Sequence, residues 1–188
     1  MPNLSLNGTH FFGAPKNAGT TVRMWLKHYE GDLPDFSART DYYTLRAVGM
    51  PRLWHDNLIH APRFFTPATE PGLTWCITRD PVERFISAYT DKVIHERLVD
   101  WSVDACLTML DSGEMEAVAR STAPASLAAC HFLPQYFWLG QDRGLYDHVF
   151  PLTDMPRVRT FCEEQVFRMP LPPCTPAINP GRATGRSG

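Results

Sequence analysis

Lys16 stands in the run Gly13-Ala-Pro-Lys-Asn-Ala-Gly-Thr-Thr21, just after the apolar pair Phe11-Phe12. Beyond it, Val22, Trp25, Leu26 and Tyr29 are spaced i, i+3, i+4 and i+7, one face of a helix. The local reading is strand, glycine-containing loop, helix. A helix start of this kind aims backbone N–H groups and the positive end of the peptide dipole at one spot, which suits a phosphate or another oxyanion. Lys16 adds a full positive charge there, and Thr20 and Thr21 add hydroxyl donors. The simpler alternative is a turn whose threonines only cap the helix.

A second segment has the same form. Leu73–Thr78 (LTWCIT) is an apolar run bounded by Gly72 and by Arg79-Asp80-Pro81, and it reads as a buried strand of a parallel sheet. Asp80 is placed to cap a helix whose first residue is Pro81. Val82, Phe85, Ile86, Tyr89 and Val93 then repeat at helical spacing, which predicts an amphipathic helix over Pro81–Glu96. Lys16 and Arg79 therefore each follow a strand. In a parallel α/β sheet, ligands sit at the carboxyl ends of the strands, where both residues would lie.

The composition limits what such a site can be. A chain of 188 residues with 44% hydrophobic and 20% charged residues is expected to form one soluble globular domain. A net charge of -2 excludes bulk electrostatic binding to nucleic acid or an anionic membrane, so any anion site must be a local concentration of charge. The five cysteines form no CxxC pair and no close Cys/His cluster, so no metal site is expected, and they read as reduced thiols in a reducing compartment. Met1–Gly8 lacks the features of a signal peptide, and no run reaches the roughly 18 apolar residues of a membrane span. These features together lead us to expect a cytoplasmic protein.

The remaining elements follow from periodicity and breakers. Glu30–Asp41 reads as a polar loop, and Tyr42–Val48 as a short strand or helix. Met50–Gly72 holds Pro51, Pro62, Pro67 and Pro71 and is expected to be irregular. Val103–Arg120 is helical with a break near Ser112-Gly113, and Pro124–Trp138 is helical in part, broken by Pro134. Tyr146–Leu152 is a third short strand, and Met155–Phe167 a helix. The expected fold class is α/β, a central, mainly parallel sheet flanked by helices. One domain would span residues 1–170, followed by a tail, 171–188, rich in proline and glycine.

A nucleoside-triphosphate loop places its lysine directly after the second glycine, whereas Lys16 precedes Gly19 by three residues. Taken together, the two segments instead resemble the sulfotransferase family. Pro15–Thr21 (PKNAGTT) is similar to its 5′-phosphosulfate loop. Arg79–Tyr89 (RDPVERFISAY) is similar to its 3′-phosphate segment, R-x-P-x-x-R-x-x-S-x-Y, met by Arg79, Pro81, Arg84, Ser87 and Tyr89. His131-Phe-Leu-Pro134-Gln135 and Tyr146-Asp147 resemble features of the carbohydrate branch (Golgi-type, family 2).

That resemblance implies a P-loop NTPase-like sulfotransferase fold and a donor, 3′-phosphoadenosine 5′-phosphosulfate (PAPS), used without a metal. Pro15, Lys16, Asn17, Ala18, Gly19, Thr20 and Thr21 would surround the phosphosulfate, with Lys16 neutralising charge on the leaving oxygen. Arg79 and Ser87 would hold the 3′-phosphate, which requires the chain to bend at Asp80-Pro81. For Arg84, a ligand contact and a pairing with Glu83 or Asp80 weigh equally. The acceptor would be a hydroxyl, that of a saccharide on this branch, with a general base from the segment between the two motifs. His60 and then His55 are the candidates, alongside Asp56 and Glu70. His131 comes third, with a buried structural role as its alternative, and His10 reads as structural, ahead of the first strand. Two rivals remain: a non-catalytic nucleotide-binding protein of the same fold, and a P-loop-like kinase.

Overall fold

Side-chain alternation along short strands distributes the chain between two faces of one sheet. The computed structural model describes residues 2–32, 51–54, 65–66, 68 and 70–172. His55, Asp56, His60 and Tyr42–Val48 lie outside them. The strands are β1 (Leu4–Leu6), β2 (Thr9–Phe12), β3 (Leu73–Thr78) and β4 (His148–Pro151), in the spatial order β1-β2-β3-β4. β1 runs antiparallel to β2, while β2–β3 and β3–β4 are parallel.

In this register Phe11 lies beside Trp75, and Ile77 beside Phe150. Those four share a cluster with Val22, Trp25 and Leu26 of α1 (Gly19–Tyr29) and with Val158 and Phe161 of α7 (Met155–Phe161). Phe12 and Cys76 face the other way. They pack with Ala88 of α2 (Pro81–Tyr89), Cys106 of α3 (Val103–Ser112), Met115 of α4 (Glu114–Ala119), Cys130 of α5 (Ser126–Phe132) and Leu139 of α6 (Tyr136–Leu139). The result is a mixed α/β fold with helices on both faces of a four-stranded sheet. Full burial of Trp25, Trp75 and Phe11 contributes roughly 1.5–3 kcal/mol each relative to exposure.

Two expectations need correction, and one strand was not expected. The polar look of Met1–Gly8 hides β1, which returns into β2 through a two-residue turn, Asn7-Gly8, with both φ angles positive (50° and 74°). Asn-Gly is the preferred pair for that turn because its backbone twist matches the strands it joins. His10 lies within β2 and is buried, rather than preceding the strand. The helix from Pro81 is α-helical only to Tyr89 and continues as a wider π-helical turn over Thr90–His95. Its buried residues include Arg84, Ala88 and Lys92, while Val82 and Ile86, expected on the inner face, are 66% and 58% exposed.

Elsewhere the expected breaks are present. Gly113 ends α3 in the left-handed region, and β3 matches its sequence-based bounds. Leu171 is buried, and the Trp25 indole N–H donates to the Pro172 carbonyl, so the chain remains packed on the core to the last described residue.

Candidate active site

The helices that follow β2 and β3 leave toward opposite faces of the sheet, since α1 packs with Phe11 and α2 with Phe12. The two connecting turns therefore flank one crevice at the carboxyl ends of adjacent parallel strands, the usual ligand position in open α/β sheets.

The first turn is held from below. The Asn3 side-chain oxygen accepts from the Gly13 N–H at 2.7 Å. A Cβ on Gly13 would come within 3.0 Å of the Phe11 ring and 3.3 Å of that same oxygen, so the close approach favours glycine. Lys16 and Ala18 both take positive φ, 69° and 59°. Ala18 is the N-cap of α1 and supplies no side-chain cap. The first bond into the helix is Val22 N–H to the Ala18 carbonyl at 3.1 Å, which leaves the N–H groups of Gly19, Thr20 and Thr21 ahead of the ladder. Backbone of alternating handedness followed by an uncapped helix start forms a concavity of N–H donors.

Asn17 and Gln135 clamp this turn to the second one. Buried Asn17 donates through Nδ2 to the Ile77 carbonyl at 2.8 Å and to Gln135 Oε1 at 2.6 Å. The same Gln135 oxygen accepts from the Arg79 N–H at 3.0 Å, while Gln135 Nε2 donates to the Arg79 carbonyl at 2.6 Å. One amide thus satisfies both backbone groups of Arg79 and fixes it against the loop. Arg79 Nη1 donates to the Lys16 carbonyl at 3.2 Å. Its Nε is buried with no hydrogen-bond partner among the described residues, the Glu83 carboxylate being 3.8 Å away.

Arg84 completes the clamp, and neither expected carboxylate is its partner. Its Nε donates to the Pro15 carbonyl at 2.9 Å and its Nη2 to the His131 carbonyl at 3.1 Å. Burial, with the Arg79 charge second, pulls the guanidinium down to about 10, so it remains a cation at neutral pH. Asp80 is free to cap α2, accepting from the Glu83 N–H at 3.0 Å. Its non-helical φ/ψ of −51° and 129° supplies the bend expected at Asp80-Pro81.

Lys16 is not a solvated loop lysine. Its Nζ lies 2.9 Å from Asp91 Oδ2, and Lys92 Nζ lies 3.0 Å from the same oxygen. Lys92 is in turn held by both Glu96 oxygens at 2.9 Å. Burial lowers the Lys16 ammonium from its ordinary value, against the opposing pull of Asp91. Burial alone would raise the Asp91 carboxyl, but its ion pairs with Lys16 and Lys92 hold it low.

His131 lies near this group. Burial, followed by the Lys92 charge, pushes its imidazole down to about 3, so it is neutral, with Nδ1–H donating to the Leu127 carbonyl at 2.8 Å. The buried, hydrogen-bonded ring fits the structural alternative. Beside Gln135 a cleft of about 750 Å³ opens, its lining including Thr78, Tyr136, Arg143, Tyr146 and Pro151.

Residues 34–137, more than half of the chain, match the sequence model of the Sulfotransferase family. The chain belongs to the sulfotransferase family. No curated protein and no solved structure matches it. The matched span contains Arg79–Tyr89 and His131–Gln135 and begins beyond the Pro15–Thr21 loop, which is joined to the sulfotransferase segment by the contacts of Asn17, Arg79 and Arg84. Membership carries the general activity, sulfonate transfer by a transferase.

Of the residues expected at a sulfotransferase site, Arg79 bonds directly to Lys16 and Arg84 to Pro15, while Asn17 reaches Arg79 through Gln135. Thr20 and Thr21 lie half-buried in the first turn of α1, and Ser87 is half-buried on α2. The expected bases His60 and His55 fall outside the described residues, and Glu70 is exposed. Sequence reasoning missed Asp91 and the bracing role of Gln135. The signal for Gln135 was its place directly after Pro134 in a segment already singled out. Among the described residues no cluster of three or more His, Cys, Asp or Glu could hold a metal, and no helix is long and apolar enough to cross a membrane.

Proposed function

We propose that this sulfotransferase uses PAPS as its donor and transfers the sulfonate to a saccharide hydroxyl, on a P-loop-like arrangement of β2, the Pro15–Ala18 loop and α1. The observation that carries the donor assignment is the clamp that holds the Pro15–Ala18 turn and the Arg79 turn side by side. Two features of the protein fit such a ligand. Helix α1 starts without a side-chain cap, leaving N–H donors for a phosphosulfate. Arg79 keeps a buried Nε without a hydrogen-bond partner among the described residues, and a buried guanidinium nitrogen of this kind calls for an anionic acceptor such as a 3′-phosphate.

When bound, the donor supplies the sulfonate and its leaving group. The protein's own contribution is positioning and charge. Asn17 and Gln135 fix the loop, Thr20 and Thr21 offer hydroxyls, and Lys16 neutralises charge on the departing oxygen. Arg79 and Ser87 take the 3′-phosphate. His60, ahead of His55, is the proposed base for the acceptor hydroxyl. The saccharide reading draws support from the cleft beside Gln135, where half-exposed Tyr136 offers a ring for stacking next to the planar groups of Gln141 and Arg143. A reducing, cytoplasmic setting fits the four described cysteines, all free and buried.

Adenosine 3′,5′-bisphosphate tests the donor assignment. At millimolar ligand without magnesium the melting temperature should rise by several degrees through mass action on the folded state. An unchanged melting curve would remove the assignment, and a rise seen only with ATP and magnesium would favour a kinase.

A further inference from the structure

The expected role of Lys16 requires a charged, movable ammonium, yet the chain holds that group against a carboxylate. Asp91 lies on the π-helical turn that extends α2, 75 residues away in sequence, and its Oδ2 receives both Lys16 Nζ and Lys92 Nζ. Lys92 is engaged by Glu96 through both carboxylate oxygens, so its charge is already matched. Lys16 has no second carboxylate within ion-pair distance among the described residues. Its side chain is 21% exposed and that of Asp91 33%, so the pair lies at the edge of the site rather than sealed inside it. The charged groups around Lys16 are Asp91 and Lys92 on the π-helical turn and Glu96 just after it, with neutral His131 on α5. A wider turn inserted in an α-helix often marks a functional position, because it re-aims the side chains it carries.

We infer that Asp91 is the resting partner of Lys16, so that donor binding exchanges one anion on this ammonium for another. Until a donor binds, Asp91 keeps Lys16 charged and parked against the π-helical turn. A bound phosphosulfate competes for the same ammonium, and the carboxylate retains Lys92 when Lys16 leaves. Asp91 is thus a positioning residue that restrains donor affinity and holds the lysine charged until its ligand arrives. This inference rests on the donor reading above.

The test uses calorimetric titration of adenosine 3′,5′-bisphosphate into the whole chain. Asp91→Asn removes the competing charge and should tighten binding roughly threefold to tenfold, the scale of a partly exposed ion pair. Asp91→Glu should restore near wild-type affinity. In a Lys16→Met background, Asp91→Asn should have little effect, because the two residues act through one contact. Tightening of equal size in that background would overturn the inference in favour of a general field effect, and weaker binding by Asp91→Asn would overturn it in favour of preorganisation.

A second measurement needs no variant. The chain has three lysines, Lys16, Lys27 and Lys92, so side-chain NMR of labelled lysine gives three resolvable ammonium groups. On adding the bisphosphate the Lys16 signal should shift strongly and that of Lys27 should not. An unmoved Lys16 signal with bound ligand overturns the exchange. A wild-type protein that binds no bisphosphate overturns the donor reading, and this inference with it.

Discussion

The two strand–turn–helix units share a form and use their turns in opposite ways. At the second turn Asp80 accepts from the Glu83 N–H and Pro81 lacks an N–H, so α2 closes its own start. At the first turn Ala18 sits in the left-handed region, and among the described residues no side chain caps the helix start at Gly19, Thr20 and Thr21. One turn therefore offers backbone, and the other offers a side chain, Arg79, whose own backbone groups are taken by Gln135. A helix start left uncapped is less stable by the value of a cap, and that is the form a binding site takes when its ligand completes the structure.

Four substitutions test this contrast. The largest effect is expected at Lys16, where Lys16→Ala should lower the transfer rate roughly 100-fold to 1,000-fold while changing bisphosphate affinity far less. Steady-state kinetics set beside calorimetry measure this, and equal losses in both would argue against a leaving-group role. Next, Arg84→Leu should destabilise the fold by about 2–4 kcal/mol in urea unfolding, because it strands the Pro15 and His131 carbonyls. It should also loosen the first turn more than the second.

Arg79→Ala should weaken nucleotides bearing a 3′-phosphate about tenfold to 100-fold and leave those without one nearly unchanged. A uniform loss would mean that Arg79 only braces Lys16. The smallest effect belongs to the cap. Asp80→Ala should cost about 1 kcal/mol of stability with ligand affinity intact, since the N–H groups it serves belong to α2 alone. If it changed affinity as much as stability, the two turns would not divide the work as described.

Much of the fold was legible because its cues are local. The β3 bounds, the break at Gly113 and the Asp80-Pro81 start of α2 each follow from a few neighbouring residues. The Asn7-Gly8 hairpin was equally local, and was overlooked because β1 carries only three residues with a single fully buried leucine. The inner face of α2 was misjudged for a different reason. Periodicity marked Val82 and Ile86 as apolar, but the partners available on that side of the sheet were met by Ala88 and by the Arg84 clamp.

Strand patterns and helix starts are written within a dozen residues, so the sequence placed Lys16 and Arg79 after parallel strands, each in a turn ahead of a helix. How those turns are joined depends on contacts between residues far apart in the chain. Asn17 meets Gln135 across 118 residues, Arg84 meets Pro15 across 69, and Lys16 meets Asp91 across 75. Such polar contacts have no period and no spacing rule. They form because a buried donor or acceptor must find a partner, and the packing of α2 and α5 against the sheet determines which partner lies within reach.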